Sequence, residues 1–359
     1  MRDVLFAVGG EGSSIFVVDP LGGKLIARPG PVPLAKISPV LSSDSSILFF
    51  VGADQLGAAI YALDAANFRL RRWLEIDSPA ARRMLDGFWL RGSALGVVPG
   101  QKYLYVGAYA SDPTQPLPPD AARIAIVDTA THHVVGTIGP LSVKEGGIAA
   151  LVPGPVAPRG ALLAIGTRLR TDAPSLDTLF VIDPETHQAI DSALVTPPVP
   201  RAGGTLIGVI ASPDGRHVYL QHRDNVLYGF DLITRQITGP APLPGGLADF
   251  AIAPDGSRVY VVYGGAPFIF IPPSDSIEVL DATNLAVLPP ISLLNQAALG
   301  DSFPLVHTVA VSPDGQWLYL GDGAARLPLR VLVMDRTTGK VVRVIRLGDT
   351  GTVSLVVRH

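Results

Sequence analysis

Cysteine is absent from the 359-residue chain. That absence excludes disulfides, thiolate metal centres and cysteine nucleophiles together. An unbroken apolar run of about 20 residues is also missing, so no helical membrane span is expected. Charge is scarce, with Asp, Glu, Lys and Arg making up 16% of the residues and a net charge of −3. Such a balance offers no general attraction to nucleic acid or anionic lipid. The chain has no His-Glu-x-x-His helix, no Walker-type loop and no Gly-x-Ser-x-Gly elbow. Neither a cofactor nor a metal is therefore expected. Leu5-Phe6-Ala7-Val8 reads as a strand, and nothing before it has the layout of a secretory leader. The expected compartment is the cytoplasm, or the periplasm or exterior if a leader has been removed.

What the chain has in abundance is apolar residues (48%), glycine (38) and proline (33). They fall into a repeat. A short apolar strand ending in aspartate occurs seven times, at Asp19, Asp64, Asp128, Asp183, Asp231, Asp281 and Asp335, roughly 45 to 65 residues apart. Before several of these lies a second recurring unit. His307-Thr308-Val309-Ala310-Val311 is an apolar strand, Ser312-Pro313-Asp314-Gly315 is a tight turn, and Trp317-Leu318-Tyr319-Leu320 returns as a strand. Residues 330–335 make a third strand, Arg336-Thr337-Thr338-Gly339 a second turn, and residues 340–347 a fourth strand. This is the four-stranded antiparallel meander of a propeller blade. Asp214-Gly215 and Asp255-Gly256 mark close copies, Ser42-Ser43-Asp44 and Pro99-Gly100 worn ones, and Pro153-Gly154 the weakest.

The ends complement each other. The first repeat begins at a second strand, while the last is followed by a spare one, Val353-Ser354-Leu355-Val356-Val357. Pairing the two closes a ring and removes two open sheet edges. The expected fold is all-β: a single seven-bladed β-propeller over residues 1–359. The seven aspartates read as turn formers, because a short acidic side chain can accept hydrogen bonds from the backbone that follows it.

Long insertions are expected at one end of the blades, at 77–91 (a short helix over 78–86), 110–122, 168–177, 196–204, 264–275, 294–305 and 321–329. Loops on a rigid scaffold are where binding concentrates. A protein partner or small-molecule ligand is accordingly expected on this long-loop face. Its candidate contacts are Arg82, Arg91 and His222, with Phe268 and Phe270 in the apolar stretch 264–273. Counting back from each turn proline gives innermost positions Ile37, Ser93, Gly147, Ile207, Ala248 and His307. His307 is the polar exception, with Lys36 and Asp249 one step from the innermost position of their strands, and all three join the candidate ligand or partner contacts. Among the other histidines, His132 and His133 follow one aspartate turn and His187 lies in the next.

The alternation of Ser-Pro-Asp-Gly-x-x-x-Tyr-Leu (Ser312 to Leu320, and Ser212 to Leu220 with one residue of slack) with apolar-Asp-x-x-Thr resembles the YVTN-type seven-bladed propellers of bacteria. Val17-Val18-Asp19, Ser78-Pro79-Ala80-Ala81-Arg82-Arg83, Arg123-Ile124-Ala125-Ile126-Val127-Asp128 and the closing strand make the layout most similar to the propeller subunit of amine dehydrogenases. That resemblance implies a docking face for a small cofactor-bearing subunit and assigns no catalytic residue to the propeller. Other propellers of this kind are lactonases or lyases that use axial histidine and acidic residues. The expected role is a non-catalytic scaffold, with a redox-complex subunit or a lactonase-like hydrolase as alternatives.

Overall fold

A computed structural model describes residues 4–9, 14–30, 39–54, 57–75, 94–109, 122–141, 146–154, 161–168, 177–195, 206–222, 226–243, 247–263, 276–294, 296–299, 304–323 and 327–358. Along the chain come β1 (Val4–Gly9), β2 (Ser14–Asp19) and β3 (Lys24–Ala27). Four strands follow in β4 (Val40–Leu41), β5 (Ile47–Asp54), β6 (Gly57–Asp64) and β7 (Leu70–Glu75). The next blade holds β8 (Leu95–Val97), β9 (Tyr103–Tyr109), β10 (Ala122–Asp128) and β11 (His133–Leu141). Then come β12 (Gly146–Gly154), β13 (Ala161–Arg168), β14 (Asp177–Asp183) and β15 (Gln188–Val195). The fifth blade is β16 (Leu206–Ala211), β17 (His217–His222), β18 (Val226–Asp231) and β19 (Ile237–Pro242). The sixth is β20 (Leu247–Ile252), β21 (Arg258–Tyr263), β22 (Ser276–Asp281) and β23 (Val287–Ser292). The seventh is β24 (Val306–Val311), β25 (Trp317–Asp322), β26 (Pro328–Asp335) and β27 (Lys340–Thr350), and β28 (Val353–Arg358) ends the series.

Among the described residues these strands form seven four-stranded antiparallel sheets. Six are meanders, and the seventh has the order β28-β1-β2-β3. The fold is thus a seven-bladed β-propeller whose closing strand pairs with its opening one, in register from Val4↔Arg358 to Gly9↔Val353. The expected helix over 78–86 lies outside the described residues. One 3-10 turn, Ala297–Leu299, precedes β24. No described helix is long and apolar enough to cross a membrane.

By internal contacts the chain divides into two compact units, residues 36–238 and residues 1–35 with 239–359, the boundary falling inside β19. Each has its own core between facing sheets. In the first, Phe49, Ile60 and Trp73 pack with Leu104 and Val106, and Leu163 and Ile165 pack with Leu220 and Phe230. In the second, Leu5 and Phe16 pack with Tyr319, Val331 and Val333. Middle strands are buried on both faces, which is why β2 and β26 are nearly continuous apolar runs. Outermost strands alternate or are largely exposed, as in β15.

All seven strand-ending aspartates build the same turn. The Oδ1 atom of each accepts backbone N–H groups of the residues that follow, for example Ala66 and Asn67 on Asp64 at 2.8 and 3.1 Å, or Ile233 and Thr234 on Asp231 at 2.8 and 2.9 Å. The same pattern holds at Asp19, Asp128, Asp183, Asp281 and Asp335. Four residues after each aspartate the backbone turns left-handed, at Gly23, Phe68, His132, His187, Arg235, Leu285 and Gly339, with φ between 56° and 68°. The N–H of that residue donates a hydrogen bond back to the aspartate carbonyl and closes the turn, as at Phe68 (2.9 Å) and Gly339 (2.9 Å).

The first-hairpin turn is equally regular. Ser312 Oγ donates to Asp314 Oδ1 at 2.6 Å, and Trp317 N donates to Ser312 Oγ at 2.8 Å. Ser42 and Asp44 reproduce the arrangement with Ile47. There Ser45 (φ 56°) stands where Gly215, Gly256 and Gly315 (each 68°) stand in the close copies. The weakest copy departs from expectation. β12 runs straight through Pro153 and Gly154, which pair with Leu162 and Ala161, so the reversal comes later. Proline is tolerated because β12 is a sheet-edge strand with one unpaired side.

Two outcomes follow. Ser45→Gly relieves a left-handed serine and should raise the urea midpoint, by about 0.5–1 kcal/mol in stability. Removing residues 353–359 uncovers the edge of β1 and should abolish or sharply lower the cooperative thermal transition followed by circular dichroism.

Candidate functional site

Four described innermost strands carry one extra residue. β16 pairs Leu206↔His222 and then Gly208↔Gln221, leaving Ile207 over. β20 leaves Ala248 over between Leu247↔Tyr263 and Asp249↔Val262. β24 leaves His307 over between Val306↔Asp322 and Thr308↔Gly321. These are the positions obtained by counting from the turn proline. Each is a β-bulge, a device that re-aims a side chain. In β12 the extra residue is Ala149, not Gly147 as the counting expects, because the hairpin after it is longer. Ile37 and Ser93 lie outside the described residues.

His307 is turned by its bulge towards β28. The Val353 N–H donates to Nε2 at 2.8 Å, and Nδ1 faces the Leu305 carbonyl at 3.4 Å. An acceptor at Nε2 requires the neutral ring with its proton on Nδ1. Burial pushes the imidazole below its ordinary pKa, against smaller opposing effects of the Leu305 carbonyl and Asp322. Gly321 makes room for this contact. A Cβ there would lie 2.3 Å from the Thr308 methyl and 3.4 Å from His307 Nε2.

Asp249 reaches the opposite side of the same strand. Its Oδ2 accepts from Thr308 Oγ1 at 2.5 Å and from Val309 N at 3.1 Å, while Oδ1 accepts from its own neighbour Phe250 N at 2.9 Å. Some accessible surface remains on Asp249, yet protein surrounds it densely. Desolvation pushes its pKa up to about 6, against the pull of those hydrogen bonds.

Beneath this pair sits an ion pair that the sequence reading misses. Asp322 is buried, and its Oδ2 accepts from Arg330 Nε at 2.6 Å while Oδ1 accepts from Leu305 N at 2.6 Å. The signal was available: once β25 and β26 are aligned, Asp322 and Arg330 are directly opposite. The Leu305 carbonyl in turn accepts from Gly323 N at 3.1 Å. The cluster couples three consecutive blades through backbone groups.

Of the candidate residues, Asp249 and His307 fall on one stretch of β24, Asp249 bonding Thr308 and Val309, the two residues after His307, while His307 itself bonds Val353. His222 ends β17 opposite Leu206 and Val226. Lys36, Arg82, Arg91, Phe268 and Phe270 lie outside the described residues. Of the other described histidines, His132 and His187 lie in aspartate turns. The His132 ring lies 5.0 Å from that of Trp73. His187 Nδ1 is 3.3 Å from Tyr105 Oη, and burial lowers its pKa. Among the described residues no group of three His, Asp or Glu side chains is arranged to hold a metal.

No family model matches the chain, and no curated protein matches it. Among solved structures it is similar to Kuenenia stuttgartiensis hydrazine synthase, at 15% identity and a TM-score of 0.61 over 96% of this chain and 93% of that one. It is also similar to the dihydro-heme d1 dehydrogenase NirN in complex with DHE, at 14% identity and a TM-score of 0.56 over 98% of this chain and 74% of that one. At such identities the likeness shows the propeller fold.

Asp322→Ala strands the Arg330 charge and the Leu305 N–H, and should cost about 3–5 kcal/mol by urea unfolding. Asp249→Ala leaves the Thr308 hydroxyl and Val309 amide without their acceptor, at about 1–3 kcal/mol. Acid acts in two directions. Asp44 and Asp231 are each lowered from 3.8 to about 2, so their contribution is present above 3.8 and disappears as pH falls through 2. Asp249 is raised from 3.8 to about 6, so its protonation favours the fold as pH falls across that window. Urea midpoints followed against pH should drop less steeply below about pH 4 in a D44N/D231N double variant than in the parent chain.

Proposed function

We propose that this chain is a non-catalytic propeller scaffold of YVTN type, whose long-loop end receives a protein partner or small ligand. The observation that carries this reading is the use to which the inner-strand polar groups are put. His307 spends both ring nitrogens on backbone groups, and Asp249 spends both oxygens on Thr308, Val309 and Phe250. The short turns at the other end of each blade are filled by their own aspartates. Recognition then falls to the insertions, where Arg82, Arg91, Phe268 and Phe270 supply cations for an anionic group and aromatic surface for an apolar one.

A second reading has its own support. Both similar structures carry the names of redox enzymes, hydrazine synthase and a dehydrogenase. In this reading the chain is the propeller part of a redox assembly similar to an amine dehydrogenase, docking a subunit that brings the cofactor.

Photo-crosslinking groups placed at 82, 91, 268 and 270 should trap a partner or ligand, while the same groups at Thr129, Thr186 and Thr337 should not. Equal trapping from both sets would overturn the assignment of the binding face. For the second reading, amine-dependent dye reduction should be absent from the chain alone and appear only with a small quinone-bearing subunit.

A further inference from the structure

We infer that His307 is a pH-sensitive latch on the closing strand: the neutral ring holds β28 through the Val353 amide, and the protonated ring releases it. The case begins with direction. The Val353 N–H points at Nε2 from 2.8 Å. A second proton on the ring must go to Nε2, because Nδ1 already carries the first. Donor then faces donor, and the amide loses its acceptor in a partly buried place. Charge inversion at one atom thus converts an attractive contact into a repulsive one.

The surroundings allow no easy escape. Gly321 and Thr308 pack against the ring region, and a Cβ on Gly321 would already touch the Val353 side chain at 3.1 Å. Along the paired edge, at the start of β28, Gly9 approaches Thr352 so closely that a Cβ would lie 2.3 Å from its carbonyl oxygen. The strand therefore has little room to slide while staying paired.

The charged groups around the ring are few among the described residues. From β25 comes Asp322, whose charge is matched by Arg330 of β26. From β20 comes Asp249, bonded one and two residues further along β24. β28 contributes no titratable group near Val353, its Arg358 lying at the far end of the strand. Asp322 and backbone groups of Leu305, Val353 and Gly323 favour the imidazolium, but burial outweighs them and lowers the pKa of the ring. A histidine whose folded pKa lies below its unfolded value of 6.5 stabilises the fold above that value, and the contribution is lost as pH falls below it. Release is therefore expected on acidification below the ordinary imidazole range.

The test is hydrogen exchange of the segment 350–358 in the full chain, corrected for the intrinsic pH dependence of exchange, at about pH 7.5 and about pH 5. Protection of the Val353 amide should fall about three- to tenfold at the lower pH, the factor expected for one hydrogen bond. His307→Gln places a non-titrating oxygen near the Nε2 position, and its protection should stay flat. Because Asp249 is present in both proteins, the difference isolates His307. Equal loss in parent and variant would overturn the inference. So would an imidazole nitrogen spectrum showing the proton on Nε2 at about pH 7.5, a measurement that needs only the parent protein.

Discussion

Six positions of β28 face six of β1, and that pairing completes the four-stranded sheet of the first blade with the last strand of the chain. Without it β1 would expose an unpaired row of amide and carbonyl groups, and Leu5 and Phe16 would lose the cover of their neighbours. Other contacts gather on the same seam. Arg28, beyond β3, donates to Asp349 Oδ2 at 3.1 Å and to Ser14 Oγ at 3.0 Å, tying the outer strand to the segment that leads into β28. His307 holds the Val353 amide from the neighbouring blade. None of these makes sense unless the last strand lies beside the first.

The remaining architecture rests on two turns used repeatedly. In the aspartate turn the carboxylate replaces the water that would solvate two backbone amides, and the residue four places on adopts a left-handed backbone to return the chain. Only Gly23 and Gly339 meet that demand without strain, while Phe68, His132, His187, Arg235 and Leu285 carry side chains there. These residues recover part of the cost by packing. Leu285 is buried, the His132 ring lies against Trp73, and Arg235 pairs with Asp191 at 2.6 Å. A strained turn residue thus doubles as a contact, in the last two cases to the preceding blade.

Much of this was legible in the chain because strand alternation, turn residues and the seven aspartates all report the same local geometry. The spare strand at 353–357 was visible for the same reason, and it occupies the place the repeat demanded. What was harder to read depends on register. Pro153-Gly154 looks like a turn, yet β12 continues through it, since an edge strand has a side on which a missing amide costs nothing. The bulge in that strand consequently falls at Ala149 and not where counting from the proline would put it. The Asp322–Arg330 pair was hidden because eight residues separate the partners, and only the alignment of β25 on β26 brings them opposite.

The same dependence on register bears on how polar residues of an inner strand should be interpreted. A bulge frees one residue from the ladder and lets it point along the sheet edge, where the nearest unsatisfied groups are the amides of the next blade's first strand. His307 meets Val353 in this way. In the preceding blade and in the same sense, Asp249, the residue after a bulge, meets Thr308 and Val309. A histidine or carboxylate at such a place has a structural vocation before it has a chemical one, because an inner-strand edge amide without an acceptor costs more than a surface one. Its identity still matters, since a titratable acceptor makes the seam between blades responsive to protons where an amide side chain would not. Recognition, by contrast, needs groups that are not already spent, and in this fold those are carried by the insertions between strands.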